Sequence, residues 1–180
     1  MYKNEFEQLA KHYIKRDGIN DLLNHLSKTD FYIAPASTRY HDSHEGGLVK
    51  HSLRVFNYLS EELMDDDTYS HETIAIVSLF HDICKINFYK KEMRNTKQNG
   101  KWVQVPYYKV EDKLPIGHSE KSVILLREFI KLTPDEILAI NSHMGGFDNR
   151  DFVISGAFSI CPLAVHLHIA DLKATYLKEV

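Results

Sequence analysis

His81-Asp82 sits inside the apolar run Ile74-Ala75-Ile76-Val77-Ser78-Leu79-Phe80-His81-Asp82-Ile83-Cys84-Lys85. An imidazole and a carboxylate cost free energy to bury unless they are paired or coordinate a metal, so any fold for this chain must satisfy two polar groups in its interior. The dipeptide alone says little: with 11 His and 13 Asp in 180 residues, about 0.8 such pairs are expected by chance. His41-Asp42 is the decoy, because it follows the irregular stretch Ala34-Pro35-Ala36-Ser37-Thr38-Arg39-Tyr40 and has no helical periodicity around it.

The rest of the chain supplies company for His81-Asp82. His51 follows Gly46-Gly47-Leu48-Val49-Lys50, His118 opens Gly117-His118-Ser119-Glu120, His143 precedes Met144-Gly145-Gly146, and Asp171 ends His168-Ile169-Ala170-Asp171. Each belongs to a different expected helix. Side chains that converge from separate helices are how helical bundles build two-metal sites. Imidazole with carboxylate suits iron, manganese, nickel, cobalt or zinc, so the ligand types do not name the ion.

Apolar periodicity predicts an all-α chain with helices over Asn4–Arg16, Ile19–Lys28, Leu48–Met64, Thr73–Asn87, His118–Lys131, Pro134–His143 and Pro162–Leu177. The start at Pro134 is the clearest, with Thr133 as N-cap and Glu136 where a capping box needs its acid. One stretch is not helical. Phe88–Arg94 and Trp102–Val110 flank Asn99-Gly100, the signal of a β-hairpin. From Lys85 to Lys113 the chain carries eight basic and three acidic residues, a local charge of +5. Lys90, Lys91 and Arg94 interleaved with aromatic rings could hold phosphates and stack a base; the plainer reading is a solvated cover on the bundle.

The order His51, His81-Asp82, His118, His143, Asp171 resembles the HD-domain superfamily of metal-dependent phosphohydrolases, in its dinuclear branch, over about residues 30 to 175. The phrases Gly46-Gly47-Leu48…His51-Ser52, His81-Asp82-x-x-Lys85, Gly117-His118 and Ser142-His143 are most similar to the HD domain of bacterial 3′-to-5′ exoribonucleases. Those enzymes carry a nucleic-acid-binding OB domain ahead of the HD region, whereas residues 1–30 here read as two helices. The resemblance implies a single HD domain over 1–180 and two divalent transition-metal ions. His51, His81, Asp82 and Asp171 would hold one, and Asp82 would bridge to a second held by His118 and His143. A hydroxide bridging the ions would attack phosphorus, while Lys85, one helical turn beyond the ligand pair, would join Asp82 in the chemistry by holding a phosphate oxygen.

The expected function is thus hydrolysis of a phosphomonoester or phosphodiester, of a nucleotide or short oligonucleotide. A mixed-valent diiron oxygenase of the same ligand set is the alternative enzyme, and a catalytically silent ligand-binding bundle the alternative of another class. A formal charge of −3 argues against a general nucleic-acid coat protein. Cys84 and Cys161, each isolated in an apolar run, read as buried reduced thiols. Without a signal pattern or long apolar run, the expected location is cytoplasmic, with no membrane partner. Arg39 and His41, in the loop before the first ligand helix, are candidates to overhang the pocket, Arg39 on a phosphate and His41 on a leaving group. His168, one turn before Asp171, is a candidate to orient it. Asp65-Asp66-Asp67 reads as a solvated turn.

Overall fold

The computed structural model describes residues 2–65, 67–147 and 150–177. Among these, eight α-helices surround one core: α1 (Tyr2–Tyr13), α2 (Ile19–Leu26), α3 (Gly47–Leu63), α4 (His71–Phe80), α5 (His118–Arg127), α6 (Pro134–Ser142), α7 (Asp151–Ile160) and α8 (Pro162–Tyr176). Strands β1 (Tyr89–Gln98) and β2 (Lys101–Val110) form an antiparallel pair between α4 and α5. No single helix among the described residues is long and apolar enough to cross a membrane.

Helix α4 is apolar all round and lies in the centre, packed against α1, α3 and α6. Its last residue, Phe80, is fully buried and meets Phe6 edge-on, with ring centroids 5.4 Å apart; Phe6 in turn meets Phe31 at 5.1 Å. Edge-to-face packing of this kind adds about 0.5–1.5 kcal/mol per pair to the burial of the rings themselves. The residue after this aromatic anchor is His81, so the core fixes where the polar pair emerges.

The expected helix Thr73–Asn87 ends early. His81 is the C-cap of α4, Asp82 leaves helical geometry at φ −103° and ψ 16°, and Ile83–Lys85 form one 3₁₀ turn. Ser70 caps the other end by accepting from the Thr73 backbone N–H. The helix expected over His118–Lys131 likewise stops at Arg127. Helix α7 was not expected: Asp-Phe-Val-Ile-Ser-Gly-Ala-Phe-Ser-Ile shows no apolar stripe, and only Ile154 and Ala157 are buried. The Thr133 capping box is present in both halves, with Glu136 accepting from the Thr133 N–H at 2.8 Å and Thr133 from the Glu136 N–H at 3.3 Å.

Glu136 does more than cap. It is fully buried and accepts two hydrogen bonds from the Arg16 guanidinium, at 2.7 and 3.0 Å, and one from the Thr73 hydroxyl at 2.9 Å. Arg16 also pairs with Glu72 at 3.3 Å, so one guanidinium ties the segment after α1 to α4 and α6. Cys84 and Cys161 are buried and free. Asp65 and Asp67 lie in an exposed turn, and Asp66 falls outside the described residues.

The hairpin pairs Gln98 with Lys101 around Asn99-Gly100, whose φ angles of 49° and 80° are the doubly positive pattern of a two-residue turn matched to strand twist. It packs chiefly against itself. Its exit is pinned to the bundle: Lys121, buried on α5, contacts Asp112 at 2.5 Å and lies 5.3 Å from the Phe88 ring centre.

Candidate metal centre

Local geometry delivers the polar groups to one place. His51 is on the second turn of α3, His81 and Asp82 follow the end of α4, His118 opens α5, His143 caps α6, and Asp171 is on α8. All six residues predicted as metal ligands converge. The His51 ring nitrogen Nε2 lies 3.0 Å from Asp171 Oδ1, 3.3 Å from His81 Nε2 and 3.8 Å from Asp82 Oδ2. His81 Nε2 is 3.5 Å from the same Asp82 Oδ2. The other oxygen, Oδ1, is 2.8 Å from His118 Nε2 and 3.6 Å from His143 Nε2. Asp82 therefore turns one oxygen to His51 and His81 and the other to His118 and His143.

The imidazoles are set up to offer lone pairs inward. His81 Nδ1 donates to the Ser78 carbonyl at 2.8 Å, and His143 Nδ1 to the Ile140 carbonyl at 2.7 Å. A carbonyl only accepts, so Nδ1 carries the proton and Nε2 is bare. The buried His143 Nε2 finds no hydrogen-bond partner, and the Nε2 atoms of His51 and His81 face one another. Orphaned, deeply buried nitrogens beside two carboxylates fit a divalent ion. Among the described residues, three sets satisfy metal-ligand spacing: His51, His81 and Asp82; His81, His143 and Asp171; and Asp82, His118 and His143.

Burial pushes His81 down to about 3, so it is neutral at neutral pH. Burial also lowers His118, whereas at His143 burial is outweighed by the Asp82 carboxylate, which raises the imidazole. Although burial works to raise Asp82, the Lys85 ammonium and the surrounding imidazoles hold it well below the ordinary carboxylate range, and His51 does the same for Asp171. The Lys85 ammonium is 2.6 Å from Asp82 Oδ2; burial opposes its charge, but the carboxylate wins and keeps it protonated.

Above these groups opens a cavity of about 520 Å³, with Asp82, Lys85, His118 and Asp171 among the residues of its lining. His41, from the loop set aside as a decoy, also lines it. Its ring lies against that of His51, tilted by 44° with centroids 4.8 Å apart, and among the described residues neither ring nitrogen has a partner. Burial drives His41 down to about 4. The loop is built, not slack: the Ser37 hydroxyl accepts from the Tyr40 and His41 backbone N–H groups at 3.0 Å each and donates to the His41 carbonyl at 2.7 Å. Asp42 turns away, at φ 41°, to pair with Arg54 and Lys50.

The remaining predicted contacts are not brought to the cavity. Arg39 is exposed, lies over the Tyr40 ring and lines a neighbouring cavity of about 630 Å³. Lys90 and Arg94 stand on the hairpin face opposite Tyr89, the strand residue that reaches the cavity. Lys90 pairs with Glu111 at 3.7 Å, and Arg94 lies over the Tyr107 ring. Lys91 shares the Tyr89 face but sits one step farther out, beside Tyr108, and does not line the cavity. Only the base of the hairpin, Tyr89 and Val110, meets it, because a straight ribbon carries its later residues away from its root.

His168 donates from Nδ1 to the His143 carbonyl at 2.7 Å and lines the cavity. The Gly145 backbone, at φ 52°, lies over that ring so closely that a Cβ there would come within 2.3 Å of it. Of the rings at the cavity mouth, Tyr89 belongs to the hairpin whose aromatic residues were expected to stack a base, whereas Tyr40, Phe147 and Tyr176 were not anticipated.

No curated protein and no solved structure matches this chain. The HD domain profile does, over residues 48–174, which spans every converging residue from His51 to Asp171 and well over half of the chain. The chain belongs to the HD domain family, a superfamily of metal-dependent phosphohydrolases whose domains bind divalent metals.

Proposed function

We propose that this chain is a dinuclear HD-domain phosphohydrolase acting on a phosphomonoester or phosphodiester of a nucleotide or short oligonucleotide. The observation that carries the reading is the division of Asp82, one oxygen toward His51 and His81 and the other toward His118 and His143. Divalent ions held there by His51, His81, Asp82, His118, His143 and Asp171 would supply Lewis acidity toward a phosphoryl oxygen.

The chain's own groups do the rest. Lys85 keeps Asp82 ionised and in place, and as a residue of the cavity lining it has N–H bonds left for a phosphate oxygen to take. That fixed cation favours hydrolysis of a phosphorylated substrate over the oxygenase alternative. His41, neutral at neutral pH, can donate one ring N–H to a phosphoryl or leaving oxygen. The apolar wall of the cavity keeps bulk water from competing for those bonds.

Manganese, iron, cobalt, nickel and zinc reconstitution, followed by elemental analysis and assay on p-nitrophenyl phosphate and its diester, tests the reading. The expected result is two ions per chain and metal-dependent release of p-nitrophenol, with Asp82→Asn losing both. Saturation at one ion, with His118→Ala and His143→Ala unchanged in metal content, would refute the dinuclear site.

A further inference from the structure

The cavity's charge and its rim are mismatched in a way that selects a substrate. Among the described residues, Lys85 is the only lysine or arginine that lines it, and that ammonium is already shared with Asp82. One phosphoryl group has a cation to meet. A second or third phosphate would find none, since Arg39, Lys90, Lys91 and Arg94 all lie elsewhere. Polyphosphates and oligonucleotides are bound by several such contacts, and the cavity does not provide them.

The rim is aromatic. Tyr40 comes from the loop before α3, Tyr89 from the hairpin base, Phe147 from the turn after α6, and Tyr176 from the last turn of α8. Tyr40, Phe147 and Tyr176 are 75%, 65% and 66% exposed, large ring surfaces left in water around one opening. Such a cluster is costly to solvate and marks a binding surface. Four separate segments placing rings at the same mouth suits a flat partner that stacks, with little hydrogen-bond reading of its edges. The Tyr89 hydroxyl is already used on the Ala36 carbonyl at 3.2 Å, which fixes that ring and removes it as an edge reader. A volume of about 520 Å³ falls within the range of small-ligand sites.

Resting on the phosphohydrolase reading, we infer that the site takes a nucleoside monophosphate, with the phosphate over the metal centre and the base clasped by Tyr40, Phe147 and Tyr176. Water adds to phosphorus, the bond from phosphorus to the sugar oxygen breaks, and that oxygen takes up a proton. The products are the nucleoside and inorganic phosphate. Base identity is read weakly.

The test uses the full chain loaded with manganese. AMP, CMP, ATP, a dinucleotide and glycerol phosphate are compared by titration calorimetry and by phosphate release. AMP should bind roughly 10-fold or more tighter than glycerol phosphate, the size of a stacking contribution, and no more weakly than ATP. Tyr176→Ala and Phe147→Ala should each raise KM for AMP several-fold, change kcat little, and cost AMP more than glycerol phosphate in kcat/KM. Tighter binding or faster turnover of ATP or of the dinucleotide overturns the inference, as does an equal loss on glycerol phosphate. AMP binding with this pattern but without phosphate release would uphold the site and refute the hydrolase reading; phosphate release without preference would do the reverse.

Discussion

Replacing Lys85 with methionine separates charge from shape at the metal centre. The ammonium sits 2.6 Å from Asp82 Oδ2, and the two side chains are 12% and 3% exposed. At an effective dielectric of about 20, opposite charges roughly 3 Å apart attract by about 5 kcal/mol. Removing one partner of a buried pair leaves the other uncompensated, at a cost of about 3–5 kcal/mol. For a chain of this size each kcal/mol moves the melting temperature by about 2–4 °C, so metal-free Lys85→Met should melt roughly 10 °C below the parent. Divalent ions return positive charge to Asp82. The deficit should therefore shrink to less than about half when manganese is bound. Activity should not recover, because a charged hydrogen bond to phosphate is worth about 1.5–3 kcal/mol, a loss of roughly 10- to 100-fold in kcat/KM. Thermal melts with and without manganese, elemental analysis and steady-state kinetics give all three readings. An equal drop in both melts, or unchanged kcat/KM, would show that Lys85 neither balances Asp82 nor touches substrate.

Two other predictions concern the scaffold and the proton balance. Arg16→Ala strands the fully buried Glu136 carboxylate and should cost about 3–5 kcal/mol in urea unfolding, partly recovered by adding Glu136→Gln; a loss under about 1 kcal/mol would contradict the hub. Burial lowers His81 to about 3 and His41 to about 4 from an ordinary 6.5, so the unfolded chain takes up protons first as pH falls. Metal-free stability should decline as pH falls below about 6.5, the two lowered histidines outweighing His143, which Asp82 raises and which acts in the opposite sense, with Asp82 and Asp171 adding to the decline only near and below pH 4; equal denaturation midpoints at pH 8 and pH 5 would refute this.

His81-Asp82 was legible because an imidazole and a carboxylate stand out in an apolar run, and His51, His118, His143 and Asp171 joined it through their places on separate expected helices and the resemblance to HD domains. The hairpin and the Thr133 cap were legible for a similar reason: Asn-Gly and Thr-Pro-x-Glu each satisfy a local backbone need. The end of α4 was not. Ile83 and Cys84 continue the apolar pattern, so nothing local in the sequence marks Asp82 as the residue that leaves helical geometry. Helix α7 was hidden by an apolar sequence that leaves most of its length in water, with no stripe for a periodicity argument. The loop before α3 was legible as one that could overhang the pocket, but not which of its side chains would do so: His41 reaches the cavity beside His51 while Arg39 does not, an outcome set by the way Ser37 and Asp42 shape the loop. The Arg16–Glu136 pair spans 120 positions and leaves no local trace.

Beyond its root, where Tyr89 donates to the Ala36 carbonyl, the ribbon of β1 and β2 packs chiefly against itself, so its outer ladder is held by its own turn and cross-strand pairs. Two-stranded hairpins of that kind are only marginally stable. Its amides should therefore exchange with solvent through openings that leave the bundle closed, a unit that melts by itself. A cut at Asn99-Gly100 would sever the backbone without releasing either half, because Phe88 and Asp112 remain fastened to Lys121 at the root. Because only its root, at Tyr89 and Val110, meets the cavity over the metal centre, shortening the outer ribbon should leave the ligands where they are.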